Sequence, residues 1–330
     1  MVTDRATNRI AESGCMTPHN APQPEKLHME FSRRARPALV PDAANAQHPG
    51  VPVETHFKGW AKPGPVPFGL AAGVAVEPHE TLDAISGHFR LFQLRDGHRF
   101  STDDILTAWY GTTWCPTART ALDLGSGIGT VGMIAAWRLP GARFVTVEAQ
   151  SESVALARKS AAYNGLTERY EIRLGDFRAA GVLRPEERFD LVTGSPPYFP
   201  PGTGVTSAQP QKLACRFELR GDVADYCAVA SRHLAAGGVF ACVFPEEAAQ
   251  RARVEQGARA AGLVIVRRRP VIFREGQVPL IGLFAMMRAD DLPEWFRGQT
   301  WVEPELIIRD RTGQIHPEYS AVKLAIGFPP

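Results

Sequence analysis

The stretch "TALDLGSGIGTVGMIAAWRLPGARFVTVEAQSESVALARKSAAYNGL", Thr120 to Leu166, passes from an apolar run through three closely spaced glycines into a helical pattern, then repeats the alternation. It reads as strand, glycine turn, helix, strand, helix, with Asn164-Gly165 as a helix stop. Downstream, "YEIRLGDF" and "FDLVTGS" read as two further strands. "DVADYCAVASRHLAAGGVFACVFP" then gives a helix with apolar positions Val223, Tyr226, Cys227, Ala230 and Leu234, a stop at Gly237-Gly238, and an apolar strand. Continuous apolar strands between amphipathic helices imply a parallel sheet covered on both faces, a doubly wound α/β domain.

Composition bounds the rest. The 330 residues carry a net charge of +2, so no global basic field announces a polyanionic partner. Cys15, Cys115, Cys215, Cys227 and Cys242 form no CxxC pair and have no His at ligand spacing, which predicts reduced thiols, a cytoplasmic protein and no metal. Cys227 and Cys242 fall on apolar faces and read as core. The first thirty residues lack an apolar signal region, and "FGLAAGVAV" from Phe68 falls far short of the ~20 residues that span a bilayer. Residues 1–85 show no sustained periodicity and are expected to be largely disordered, leaving 86–330 as the folded domain. An arm gripping RNA through "FSRRARP" is the alternative reading of the first segment.

In an open α/β sheet, ligands lie beyond the C-terminal strand ends, so "LDLGSGIGT" marks a cofactor site. Gly125, Gly127 and Gly129 allow a sharp turn and close approach to a ligand. A dinucleotide fingerprint needs its third glycine where this chain has Thr130. The G-x-G-x-G pattern preceded by Asp123 instead resembles motif I of the S-adenosylmethionine-dependent methyltransferases. Glu148, ending "FVTVE", suits the two ribose hydroxyls. Asp176, ending "RLGD", suits the adenine amino group, with Phe177 beside it for ring contact.

"SPPYF", Ser195 to Phe199, follows the fourth strand and resembles motif IV of the amino-methyltransferases, (Asn/Asp/Ser)-Pro-Pro-(Tyr/Phe/Trp). An exocyclic amino group is a poor nucleophile because its lone pair is delocalised into the ring, and acceptors aimed at its hydrogens favour the attacking geometry. The resemblance implies that the Ser195 side chain and the Pro196 carbonyl are those acceptors. Pro196 and Pro197 restrict the backbone, Tyr198 stacks on the base, and Phe199 walls the other side. The commoner first residue is Asn, and the motif also occurs in enzymes that methylate a glutamine amide.

Two flanking segments narrow the likeness. "FQLRDGHRFSTDDILTAWYG" and "PELIIRDRTGQIHPEYSAV" resemble segments of the bacterial tRNA(Val) adenine-N6 methyltransferases and their close relatives. This implies a Rossmann-like class I fold, with a mostly parallel seven-stranded sheet whose last strand is antiparallel. It also implies contacts from Thr102 and Asp103 to the methionine end of the cofactor; the other reading of these residues is a helix N-cap at Ser101 or Thr102 followed by first-turn acids. Arg216 is a candidate contact to the substrate backbone. Arg267, Arg268, Arg269 and Arg274 are candidate phosphate contacts, against the reading of a solvated strand end.

The function expected is N6-methylation of adenine in RNA, with tRNA the favoured substrate and a monomer the favoured state, using S-adenosylmethionine without metal or membrane. Protein glutamine methylation, DNA amino-methylation and a non-catalytic cofactor-binding subunit remain open as alternatives.

Overall fold

A computed structural model of the chain describes residues 54–70, 74–198, 218 and 220–330. Two hairpins come first, β1 (His56–Phe57) with β2 (Trp60–Ala61), and β3 (Glu80–Ala84) with β4 (Arg90–Leu94). Ordered strands therefore begin upstream of residue 86, inside the segment expected to lack order; residues 1–53 lie outside the described residues. Local periodicity missed β1 and β2 because each is only two residues long, and β3 because distant contacts hold its hairpin. The Asn164 side chain accepts from the Arg90 N–H at 2.9 Å and donates to the Arg90 carbonyl at 2.8 Å, while Lys159 pairs with Glu80.

Helix α1 (Thr102–Trp114) leads into β5 (Thr120–Leu124), α2 (Thr130–Arg138), β6 (Arg143–Glu148), α3 (Ser151–Tyr163), β7 (Tyr170–Leu174) and β8 (Phe189–Gly194). Next come α4 (Val223–His233), β9 (Leu234–Pro245), α5 (Ala248–Ala260), β10 (Leu263–Ile272) and β11 (Ile281–Arg288). The two-residue strands β12 (Trp301–Val302) and β13 (Leu306–Ile307) both pair with β10, and α6 (Pro317–Ala325) follows. The longer strands lie in the order β7-β6-β5-β8-β9-β11-β10, and β11 runs antiparallel to both its neighbours. The chain leaves β5 for β6 and β7 on one side, then crosses back to β8 on the other. That reversal opens a crevice at the C-terminal ends of β5 and β8.

Alternation along β9 shows how the sheet is covered. Phe240, Cys242 and Phe244 join the apolar cluster with α4 and α5, while Val239 and Val243 join the one with α1 and α6. Cys227 and Cys242 are core residues. Asn164 caps α3, and Gly165 follows at φ +69°, as the helix stop requires.

Gly237-Gly238 does not end a helix. Helix α4 stops at His233, and β9 begins at Leu234. Phe189 pairs with Leu234, but Leu191 already pairs with Val239, so the glycines sit in a bulge. A Cβ on Gly238 would come within 2.9 Å of the Phe189 carbonyl, which explains the residue type.

Candidate active site

A cavity of about 550 Å³ occupies the crevice at the strand ends. Its floor is the turn between β5 and α2, where Gly125 and Gly127 take φ values of +60° and +55°. A Cβ on Gly125 would fall 2.1 Å from the Tyr226 hydroxyl, whereas one on Gly127 would meet no protein atom within 4 Å. The first glycine is needed for packing; the second leaves open a space that a ligand can enter.

Glu148 fixes this turn. Its carboxylate accepts the Gly127 N–H at 2.9 Å and the Gln150 N–H at 2.7 Å. Burial raises its pKa, against these backbone donors and the charge of Arg220. Asp123, only 1% exposed, accepts the Gly132 N–H at 3.1 Å and the Thr193 hydroxyl at 2.8 Å. Gly132 lies in the first turn of α2, whose N-cap Gly129 has no side chain, so Asp123 supplies the missing cap while lining the cavity. Burial outweighs these donors and pushes the Asp123 carboxyl up to about 7.

Asp176 and Phe177 line the next sector. Asp176 is held by Arg178 at 2.6 Å, which keeps its carboxyl below the usual range. Phe177 packs edge-on against Tyr226, with ring centroids 4.7 Å apart. Tyr226 and Arg220 both line the cavity and escaped the sequence reading, which placed Tyr226 only on an apolar helix face. The signal for Tyr226 was an aromatic with a polar tip facing glycines: a Cβ on Gly194 would lie 2.7 Å from its ring. The charge of Arg220 opposes the rise that burial imposes on the Glu148 pKa and adds to the lowering of the Asp176 pKa by Arg178.

Another wall is built by Ser195, Pro196, Pro197 and Tyr198, all lining the same cavity. The Tyr198 hydroxyl donates to Asp103 at 2.6 Å, and its ring packs edge-on against Phe244. Burial raises the Asp103 pKa against that hydrogen bond. Ser195 Oγ lies 3.4 Å from Thr107 Oγ1. Asp104, also lining the cavity, accepts the Ser101 N–H at 2.9 Å and so caps α1; burial pushes its carboxyl up to about 6.

Eleven of the residues expected from sequence thus share one cavity: Asp103, Asp123, Gly125, Gly127, Glu148, Asp176, Phe177 and Ser195 through Tyr198. Gly129 and Thr102 are not among the residues lining it. Gly129, at φ +91°, serves as the N-cap of α2, and the Thr102 side chain lies toward Tyr319 of α6, opposing the rise that burial imposes on the Tyr319 pKa. Phe199 and Arg216 lie outside the described residues. The arginine cluster is dispersed. The Arg267 guanidinium lies 3.5 Å from the ring centroid of Trp114 and 4.5 Å from that of Trp301, Arg269 lies over Trp109, and Arg268 pairs with Glu246.

Residues 112–257 match the family model of the methyltransferase small domain. Among curated proteins, the chain is 29% identical over 152 residues to the tRNA1(Val) (adenine(37)-N6)-methyltransferase of Escherichia coli O157:H7, covering 45% of this chain and 59% of that protein. The enzyme of the same name from Shigella dysenteriae serotype 1 is 28% identical over the same shares. The match thus spans less than two thirds of these relatives' length. Among solved structures, a predicted O-methyltransferase from Agrobacterium tumefaciens shares the fold, with TM-score 0.50 and 18% identity over 69% of this chain and 98% of that one. The chain resembles the tRNA1(Val) adenine-N6 methyltransferases in sequence and has the Rossmann-like methyltransferase fold. Among the described residues, no helix is long and apolar enough to cross a membrane.

Proposed function

We propose that this chain is an S-adenosylmethionine-dependent N-methyltransferase acting on the exocyclic amino group of adenine in RNA, with tRNA as the substrate. The observation that carries the reading is that the Ser195–Tyr198 segment and the glycine turn, with its carboxylates, wall one cavity. The residues fit this cofactor. Asp103, Asp104, Asp123 and Glu148 line the cavity, and burial penalises their ionised forms, a cost that a cationic ligand relieves and a pyrophosphate increases. Gly127 leaves room at the wall for a compact ligand.

When bound, the cofactor supplies an electrophilic methyl group on a positively charged sulfur. Glu148, already locked by two backbone donors, keeps acceptor capacity for the ribose hydroxyls. Asp176 and Phe177 face the adenine of the cofactor, and Asp103 the methionine end. Ser195 Oγ and the Pro196 carbonyl accept the two amino hydrogens, so the nitrogen lone pair turns toward the methyl group. The prolines hold that carbonyl in place before substrate arrives, reducing the ordering required at the transition state. The amino nitrogen becomes positively charged and acidic as the new bond forms, so its proton passes to water and the reaction needs no strongly basic residue. Tyr198, pinned through its hydroxyl, presents its ring as a wall for the base.

Incubating the protein with methyl-labelled cofactor and separate pools of tRNA, rRNA, DNA and protein tests the reading. Label on adenine N6 in tRNA is expected. Label on glutamine, with adenine unmodified, replaces the acceptor by a protein amide while leaving the cofactor site intact.

A further inference from the structure

A serine at position 195 has a liability that the amide oxygen of Asn lacks. Its hydroxyl is both donor and acceptor. With its proton turned toward the acceptor nitrogen, it would bind the lone pair that must attack the methyl group, and the residue would inhibit the step it is there to assist.

The neighbourhood of Ser195 removes that option. Thr107 lies one turn after Asp103 on α1 and is 1% exposed. Its hydroxyl donates to the Asp103 carbonyl at 2.8 Å. A hydroxyl has a single proton, so in the 3.4 Å contact between Thr107 Oγ1 and Ser195 Oγ the donor is Ser195. That separation is long for an O–H···O bond, and such contacts commonly tighten once substrate is in place.

We propose that Thr107 is a positioning residue for methyl transfer: it draws the Ser195 proton away from the acceptor nitrogen and leaves the Ser195 lone pairs to accept from the amino group. The inference rests on the amino-acceptor reading above. The chain from the Asp103 carbonyl through Thr107 to Ser195 gives a serine the donor-free face that an Asn carbonyl has intrinsically. Thr107 is not among the residues lining the cavity, so its effect belongs in turnover rather than affinity.

The test is a double-mutant cycle with methyl transfer to an adenine-containing tRNA transcript as readout, and with melting temperatures confirming folded protein. T107V keeps the shape of the side chain and loses the hydroxyl; T107S keeps the hydroxyl. In the wild-type background, T107V should lower kcat about 5- to 10-fold with KM nearly unchanged, the effect of one lost hydrogen bond, and T107S should restore most of the rate. In an S195N background, T107V should change kcat less than about twofold, because an amide oxygen needs no orienting partner. Equal losses in both backgrounds overturn the proposal, since Thr107 would then merely brace α1. So does a T107S protein as slow as T107V, or an S195N protein slower than S195A. A wild type that binds cofactor yet methylates no amino acceptor removes the acceptor reading itself, and the proposal with it.

Discussion

Replacing Tyr198 by Phe keeps the ring and its edge-on packing against Phe244 but deletes the hydroxyl that donates to Asp103 at 2.6 Å. Burial already raises the Asp103 pKa, and this hydrogen bond opposes the rise. A hydrogen bond to a charged group contributes about 1.5–3 kcal/mol, and one pKa unit corresponds to about 1.4 kcal/mol, so Y198F should raise the Asp103 pKa by about one to two units. A carboxylate attracts a cationic ligand only when ionised, so cofactor affinity increases as pH rises through the Asp103 pKa. Titration calorimetry with S-adenosylmethionine between about pH 5 and pH 8 should show the acid limb of Y198F displaced upward by that amount. Asp104, pushed up to about 6, Asp123, pushed up to about 7, and Glu148 line the same cavity and contribute to the limb. D103N therefore removes only the part owed to Asp103. Superimposable profiles for wild type, Y198F and D103N would refute the reasoning.

Three further outcomes follow from the same geometry. G127A should cost only about 1 kcal/mol of stability, from its positive φ and an unobstructed Cβ, yet weaken cofactor binding more than tenfold by calorimetry; G125A, with a Cβ 2.1 Å from the Tyr226 hydroxyl, should lower the melting temperature far more. The Asp123 carboxyl titrates higher in the folded chain than in the unfolded one, so the folded state binds the extra proton and Asp123 destabilises increasingly as pH rises from about 4 to about 7. The melting temperature of ligand-free D123N relative to wild type should therefore improve across that interval, and a constant difference would contradict the assignment. S195A should lower kcat about 100-fold in the methyl-transfer assay, with cofactor affinity by calorimetry unaltered.

The β5–α3 region was legible because its signals are local. Its strands are mostly apolar, with Ala121, Leu122 and Leu124 in β5 and Phe144, Val145 and Val147 in β6, its glycines mark the turn at which Gly125 and Gly127 take positive φ, and Asn164-Gly165 closes α3. Motif spacing then placed Glu148, Asp176 and Ser195 at successive strand ends. What escaped depends on partners far away in the chain. Thr102 turns to Tyr319, more than two hundred residues on, and Asp123 accepts from the Thr193 hydroxyl, 70 residues on. Arg267 stacks against Trp114 and Trp301, so a run of arginines that looked like one charged patch is divided between two faces of a strand. The glycine pair at 237–238 misled because a bulge and a helix stop demand the same residue type.

The Asn164 side chain governs how the β3–β4 hairpin exchanges its amide hydrogens. By accepting from the Arg90 N–H and donating to the Arg90 carbonyl, its amide substitutes for one residue of an adjoining strand. Together with the Ser160 hydroxyl, which accepts the Phe92 N–H at 2.9 Å, it makes α3 a surrogate edge for the β3–β4 hairpin. The hairpin can therefore open as a unit without breaking any pairing in the main sheet, and its amides should share an opening free energy below that of β5 and β8. Its remaining anchors are the Gly87 N–H, which donates to the Gly327 carbonyl at 2.6 Å, and the apolar side chains of Phe89, Leu91 and Phe92, which pack in one cluster with Ala121 and Met133.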